Sequence, residues 1–94
     1  MRTLIWDNSF KRAFKRFVRK NPQLQEKIFE TINLLASDPF ASALKSHKLS
    51  GQLSGLWACS VAYDCRIIYT FKRDRDTDEE MIVLIDLGTH DEVY

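Results

Sequence analysis

No apolar run in this 94-residue chain approaches the roughly 20 residues that a membrane-spanning helix needs. A membrane partner is therefore not expected. The opening Met1-Arg2-Thr3-Leu4-Ile5-Trp6-Asp7 is too short in apolar residues, and too soon charged, for a secretion signal, so the expected location is cytoplasmic. Cysteine is confined to Cys59 and Cys65. Two thiols in that compartment read as ordinary reduced cysteines. A metal pair is the minor alternative, because no second Cys or His pair stands at zinc-site spacing, and neither metal nor cofactor is expected. The glycines around Ser50 to Ser54 lack the Gly-Lys-Ser/Thr ending of a phosphate loop. Repeats, low-complexity tracts and linkers are missing too, which leaves a single domain over residues 1–94 with one modest core.

The net charge of +1 hides a segregation. Residues 1–48 hold ten Lys/Arg against four Asp/Glu, and residues 49–94 hold four against nine, giving +6 and −5. Six of the cations fall between Lys11 and Lys20. Such an asymmetry suggests an anionic partner, although any single run of charge is more often a solvated helix face.

Arg2 to Trp6 reads as a short strand, and Asp7-Asn8-Ser9 offers N-caps for a helix. Phe10, Ala13, Phe14, Phe17 and Val18 then repeat at i, i+3, i+4, i+7 and i+8, one apolar stripe of an amphipathic helix. Lys11, Arg12, Lys15, Arg16 and Arg19 take its other faces. Asn21-Pro22 predicts a stop followed by a second helix, with Asn21 as N-cap and Leu24, Ile28, Ile32 and Leu35 on its apolar side. Ser37-Asp38-Pro39 ends it. Trp57 to Val61, Arg66 to Phe71 and Met81 to Leu87 read as strands, with a further short strand near Lys48 to Leu53. Alternation in the middle strand sets Ile67, Tyr69 and Phe71 against the helices and leaves Arg66 on the other face. The expectation is an α+β domain in the order β-α-α-β-β-β, a strand and a helical hairpin packed on an antiparallel-rich sheet.

Four short motifs carry the chemistry: Lys45-Ser46-His47-Lys48-Leu49-Ser50-Gly51, Gly55-Leu56-Trp57, Asp64-Cys65-Arg66-Ile67-Ile68-Tyr69 and Gly88-Thr89-His90-Asp91-Glu92-Val93-Tyr94. In this order and spacing the chain resembles the RelE/ParE superfamily of bacterial toxins, and within it the YafQ-like branch. The resemblance spans essentially the whole chain. It implies the toxin of a type II toxin–antitoxin pair, a metal-independent endoribonuclease that cuts mRNA in the ribosomal A site and is held by a cognate antitoxin. Such a reaction needs a base for the ribose 2′-proton, an acid for the leaving 5′-oxygen and cations for the charge growing on the phosphate.

The resemblance puts His90 at the C-terminal catalytic position and His47 after the second helix. Arg66 can clamp the phosphate through its fork of donors. Asp64 matches a carboxylate that orients a histidine or acts as a base, and Tyr94 an aromatic terminus that stacks on a base or bonds near the phosphate. Lys45 and Lys48 read as phosphate contacts, and Lys11, Arg12, Lys15 and Arg16 as a ribosomal RNA-binding surface. Two departures stand out: Ser60 occupies a place where this branch usually has histidine, and Cys65 follows Asp64 where tryptophan is expected.

Taken singly, each residue has a plainer reading. His90 alone is a hydrogen-bonded turn residue, His47 a surface one, Asp64 a turn former, and Arg66 a partner for Asp64 or Asp86. Asp91 follows His90, but neighbours at a strand end need not face the same way, so adjacency alone assigns Asp91 no role. Two other functions keep the fold: a ParE-like toxin that poisons DNA gyrase through protein contacts, and a degenerate toxin that only binds its antitoxin. The first needs no acid–base pair, and the second is favoured by Ser60.

Overall fold

A computed structural model describes residues 2–94. The chain opens as strand β1, Thr3–Trp6, and Asp7 turns it into helix α1, Asn8–Lys20. Asp7 is the N-cap: its carboxylate accepts the Ser9 backbone N–H at 3.0 Å. The apolar stripe of α1 faces inward through Phe10, Ala13 and Phe17. Asn21 does not cap the following helix as its sequence position predicts. Its backbone N–H and its Nδ2 both donate to the Phe17 carbonyl, at 2.9 and 3.1 Å, so it closes α1 instead. Pro22–Leu24 then forms a 3₁₀ turn, and α2 begins only at Gln25 and runs to Ser37. Ile28, Ile32 and Leu35 are its buried side, as the spacing predicts.

The remaining strands are β2, His47–Lys48; β3, Trp57–Ala62; β4, Cys65–Arg73; and β5, Glu80–Gly88. They form one five-stranded sheet in the order β1-β5-β4-β3-β2. Only the β1–β5 pairing is parallel. This is the expected α+β fold with strand ends shifted by a residue or two. The short strand expected near Lys48 to Leu53 is the edge strand β2, confined to His47–Lys48 because Gly51–Leu53 is a 3₁₀ turn. A final helical turn, α3, His90–Val93, is unanticipated. No helix among the described residues is long and apolar enough to cross a membrane.

The helices cover one face of the sheet. Phe10, Phe17, Ile28 and Leu35 pack there with Ile67, Tyr69, Ile82, Leu84 and Leu87. A β-bulge in β5 makes that set possible. Ile68 pairs with Asp86 but Tyr69 pairs with Leu84, so Ile85 is the extra residue. A strand's side chains alternate faces, so without the bulge Leu87 would point away from the helices with Ile85. With it, Leu84 and Leu87 share the main core, while Ile85 joins the other side. That second face is not fully open: Ala58 and Ile68 are buried beneath Val93 of α3, flanked by Leu49, Leu56 and Ile85. The small second core anchors the C-terminal turn over one end of the sheet.

Candidate active site

Ser60, Arg66 and Gly88 are direct partners across β3, β4 and β5 and form one row on the face turned away from the helices. Beside that row is a cleft of about 390 Å³ lined by Lys45, His47, Ser60, Ala62, Tyr63 and Arg66. The structure therefore brings three of the expected site residues, Lys45, His47 and Arg66, to one hollow. A second hollow of about 380 Å³, at Arg2, Thr3, Glu79 and Glu80, is bridged by the Arg2–Glu80 ion pair and contains no histidine.

Arg66 is half-buried at the cleft floor. Its Nη1 donates to the carbonyls of Ala62 and Tyr63, both at 3.2 Å, so the β3–β4 turn fixes the guanidinium plane. The salt bridge that its neighbours suggest does not form. Among the described residues the ion pairs are Arg2–Glu80, Arg73–Asp78 and His90–Asp91. Asp86 is occupied with the Leu87 N–H, and Asp64 with that of His90. Among the described residues no carboxylate therefore pairs with Arg66, and Nε and Nη2 make no bond to the backbone, with the Tyr94 phenol as a nearby neighbour. Those two donors are the fork that grips an anion bidentately.

His47 projects from the edge strand β2, whose partner is Ala58, on the same face as Arg66. Its Nδ1 stands 3.1 Å from the Lys45 carbonyl. A carbonyl only accepts, so Nδ1 carries the proton in this contact and neutral His47 offers its Nε2 lone pair as a base. Lys45 makes that contact from a left-handed backbone conformation, φ 51°. Lys48 points elsewhere: its ammonium sits over the Trp57 ring, 5.6 Å from the centroid. It does not line the cleft.

His90 begins α3, and three contacts hold that turn. Thr89 is the N-cap; its Oγ1 accepts the Glu92 N–H at 3.3 Å while Glu92 accepts the Thr89 N–H at 2.8 Å. Asp64, on the β3–β4 turn, accepts the His90 backbone N–H at 3.1 Å. It therefore positions His90 through the main chain, with no contact to the imidazole. Gly88 lets the turn fold back, through lack of a side chain and not through an unusual φ. A Cβ there would meet Glu92 Oε1 at 2.9 Å, Glu92 Cβ at 3.1 Å and Val93 Cγ1 at 3.3 Å.

The His90 ring meets Tyr94 edge-on, with centroids 4.5 Å apart. Its Nδ1 is 3.6 Å from Asp91, so the two neighbours do face each other, but both side chains are well exposed and the pair is weak. Burial raises the Tyr94 phenol above its usual range, and the nearby Arg66 charge opposes this. The Tyr94 phenol thus stands close enough to Arg66 to feel its charge. The Thr89 N–H holds the Glu92 carboxyl below its usual range, helped by Arg16 and Lys20. The basic end of α1 thus lies beside α3. Lys11, Arg12, Lys15 and Arg16 are exposed, as expected.

Three residues had no role assigned from sequence: Thr89, Glu92 and Tyr63. Thr89-x-x-Glu92 is a capping-box signature, and it starts a helical turn where the preceding strand pattern gives no helical period. Tyr63 had no signal beyond its place in a turn, yet it lines the cleft. Burial pushes both Cys59 and Cys65 up to about 12, so they are neutral thiols and poor ligands or nucleophiles near pH 7. No cluster of three or more His, Cys, Asp or Glu side chains suited to a metal occurs among the described residues.

Residues 2–94 match the model of the family described as bacterial toxin of type II toxin–antitoxin system, YafQ. No curated protein sequence matches the chain. The structure is similar to that of YafQ from E. coli strain BL21(DE3), with a TM-score of 0.78, 21% identity and coverage of 100% of this chain and 99% of that one. It is equally similar, at 0.78 and 25% identity, to a metal-bound toxin from Helicobacter pylori, with both chains fully covered. The E. coli DinJ–YafQ toxin–antitoxin complex superposes with a TM-score of 0.75 at 21% identity, covering 99% of this chain and 97% of that one.

Proposed function

The chain belongs to the YafQ family of bacterial toxins of type II toxin–antitoxin systems, and from that premise and the cleft's geometry we propose that it is a metal-independent, ribosome-dependent mRNA endoribonuclease. The observation that carries this reading is Arg66: a charged, carboxylate-free guanidinium fixed by two turn carbonyls, in one cleft with His47. A gripping cation beside a histidine with a free lone pair suits attack by a ribose 2′-hydroxyl on the adjacent phosphate.

In the proposed reaction His47 Nε2 takes the 2′-proton as the oxygen bonds to phosphorus. Arg66, through Nε and Nη2, neutralises charge on the non-bridging oxygens, and Lys45 adds a second cation. His90, in its protonated form, donates a proton to the departing 5′-oxygen. The products are a 2′,3′-cyclic phosphate and a 5′-hydroxyl. Asp64 holds His90 in place through its backbone, and Tyr94 packs the His90 ring while bordering Arg66.

The proposed partners are a cognate antitoxin, mRNA and the ribosome, which would place the protein in the cytoplasm. The E. coli DinJ–YafQ complex supports an antitoxin as one partner. The exposed cations of α1 favour acidic or nucleic-acid surfaces. A second reading rests on Ser60, which shares the Arg66 row: a toxin without catalytic power that still binds its antitoxin.

Primer extension on an mRNA, with and without translating ribosomes, separates these readings. Wild-type protein is expected to cut only with ribosomes present. His90→Ala is expected to cut at least 100-fold more slowly. Arg66→Ala should slow single-turnover cleavage more than it weakens binding. Inhibited growth without mRNA cleavage, together with blocked gyrase supercoiling, would overturn the nuclease reading. Inert protein that still binds antitoxin would favour the second.

A further inference from the structure

Tyr63 is 98% exposed at the tip of the β3–β4 turn, on the lip of the cleft beside Lys45, His47 and Arg66. Its carbonyl serves the fold by accepting from Arg66 Nη1. The ring, surrounded by water, adds nothing to the core. Nor does the turn call for an aromatic residue, since Gly, Asn, Asp and Ser satisfy turns at lower cost. An unburied aromatic ring among cations is the pattern by which proteins hold single-stranded RNA: bases stack on the ring while phosphates meet the charges.

We propose that Tyr63 is a stacking platform for an RNA base next to the phosphate held by Arg66, and so a positioning and specificity residue of the cleft. The inference rests on the endoribonuclease reading. Its geometric ground is that Tyr63 and the Arg66 guanidinium line the same cleft, and that the Tyr63 carbonyl is one of the two that fix that guanidinium. Tyr94, just after α3, is a second aromatic residue near enough to feel the Arg66 charge. The two rings are not equivalent. Tyr94 is 39% exposed and already meets the His90 edge, whereas Tyr63 has both faces free. A base drawn onto Tyr63 would fix the strand on the turn side of Arg66 without displacing the Tyr94–His90 contact. Stacking is tolerant of base identity but strongest for purines, so the platform would bias which nucleotide sits beside the cut.

The test compares Tyr63→Ala and Tyr63→Trp with wild type in a translating extract, reading the half-saturating toxin concentration, the saturated rate and the map of cut sites. Tyr63→Ala is expected to raise half-saturation roughly tenfold, leave the saturated rate within a few-fold and flatten the nucleotide preference. Tyr63→Trp should restore all three. Unchanged half-saturation and cut sites in Tyr63→Ala would overturn the proposal. So would unchanged cleavage with weakened antitoxin binding, which would make Tyr63 a protein contact. If wild type cuts nothing, the nuclease reading fails separately, and fluorescence anisotropy with a 2′-O-methyl RNA decamer decides. Binding weakened by Ala and restored by Trp keeps the platform; equal or absent binding removes it.

Discussion

Tyr69 shows how burial and chemistry diverge at a single residue. It is fully buried in β4, yet its hydroxyl has no hydrogen-bond partner among the described residues. Burial pushes the phenol up to about 12, with the Ser46 hydroxyl opposing, so it stays neutral at any working pH. Ser46 donates its proton to the Pro39 carbonyl, at 2.7 Å, so toward Tyr69 its oxygen can only accept, and the two hydroxyls make no hydrogen bond. A buried, unpartnered hydroxyl costs about 1–3 kcal/mol. Tyr69→Phe is therefore expected to be neutral or to stabilise by about 1 kcal/mol, raising Tm by several degrees in thermal unfolding. A clear loss of stability would mean that the hydroxyl is bonded after all. Residue identity was the most legible layer of the candidate site: alternation along β4 was enough to put Arg66 on the face away from the helices. What Arg66 does there was not legible, because the choice between a carboxylate and two turn carbonyls depends on distances of an ångström.

Elements follow the same division. The stripe Phe10, Ala13, Phe17 and the run Ile28, Ile32, Leu35 were readable because a helix has a fixed period. The β5 bulge was not, since Met81 to Ile85 is apolar throughout and gives no hint of which residue is extra. Asn21 misled because capping residues serve either end of a helix, and here the Phe17 carbonyl won its amide. The helical turn α3 depends on one more close fit. Gly88→Ala would drive a Cβ against Glu92 and Val93, at a cost of about 1–3 kcal/mol. The strain should lift α3 while the sheet remains, so mRNA cleavage is expected to fall by far more than Tm; equal falls would contradict this. The cap also predicts an acid response. The folded-state value of Glu92 is depressed, so its contribution is complete above the ordinary glutamate pKa of about 4.3 and is lost as pH falls through its own lower value. NMR signals of His90 and Tyr94 should therefore lose their ordered positions in acid before those of Ile67 and Leu84.

Across the whole molecule, charge is sorted: a basic first half, with six cations on α1, and an acidic second half. The fold brings the end of the basic helix, Arg16 and Lys20, close enough to Glu92 to act on its carboxyl. A cationic strip thus borders the turn that carries His90. Sequence showed the charge but not its address, because only the packing of α1 across the sheet brings it to α3. Replacing Lys15 and Arg16 with glutamine removes two exposed charges and should leave Tm unchanged. Ribosome association is expected to weaken, and its dependence on salt to flatten by roughly one counterion for each phosphate no longer neutralised. An unaltered salt dependence would take α1 out of the binding surface.

In the proposed reaction the cleft around Arg66 makes RNA attack itself through its own 2′-hydroxyl. The most direct measurement replaces that hydroxyl with hydrogen at one mapped cut site of an otherwise unchanged mRNA and assays cleavage on the ribosome. Cutting at that site is expected to disappear, while the unmodified message yields a 2′,3′-cyclic phosphate and a 5′-hydroxyl. Persistent cleavage at the 2′-deoxy position, or a product carrying a 5′-phosphate, would contradict it.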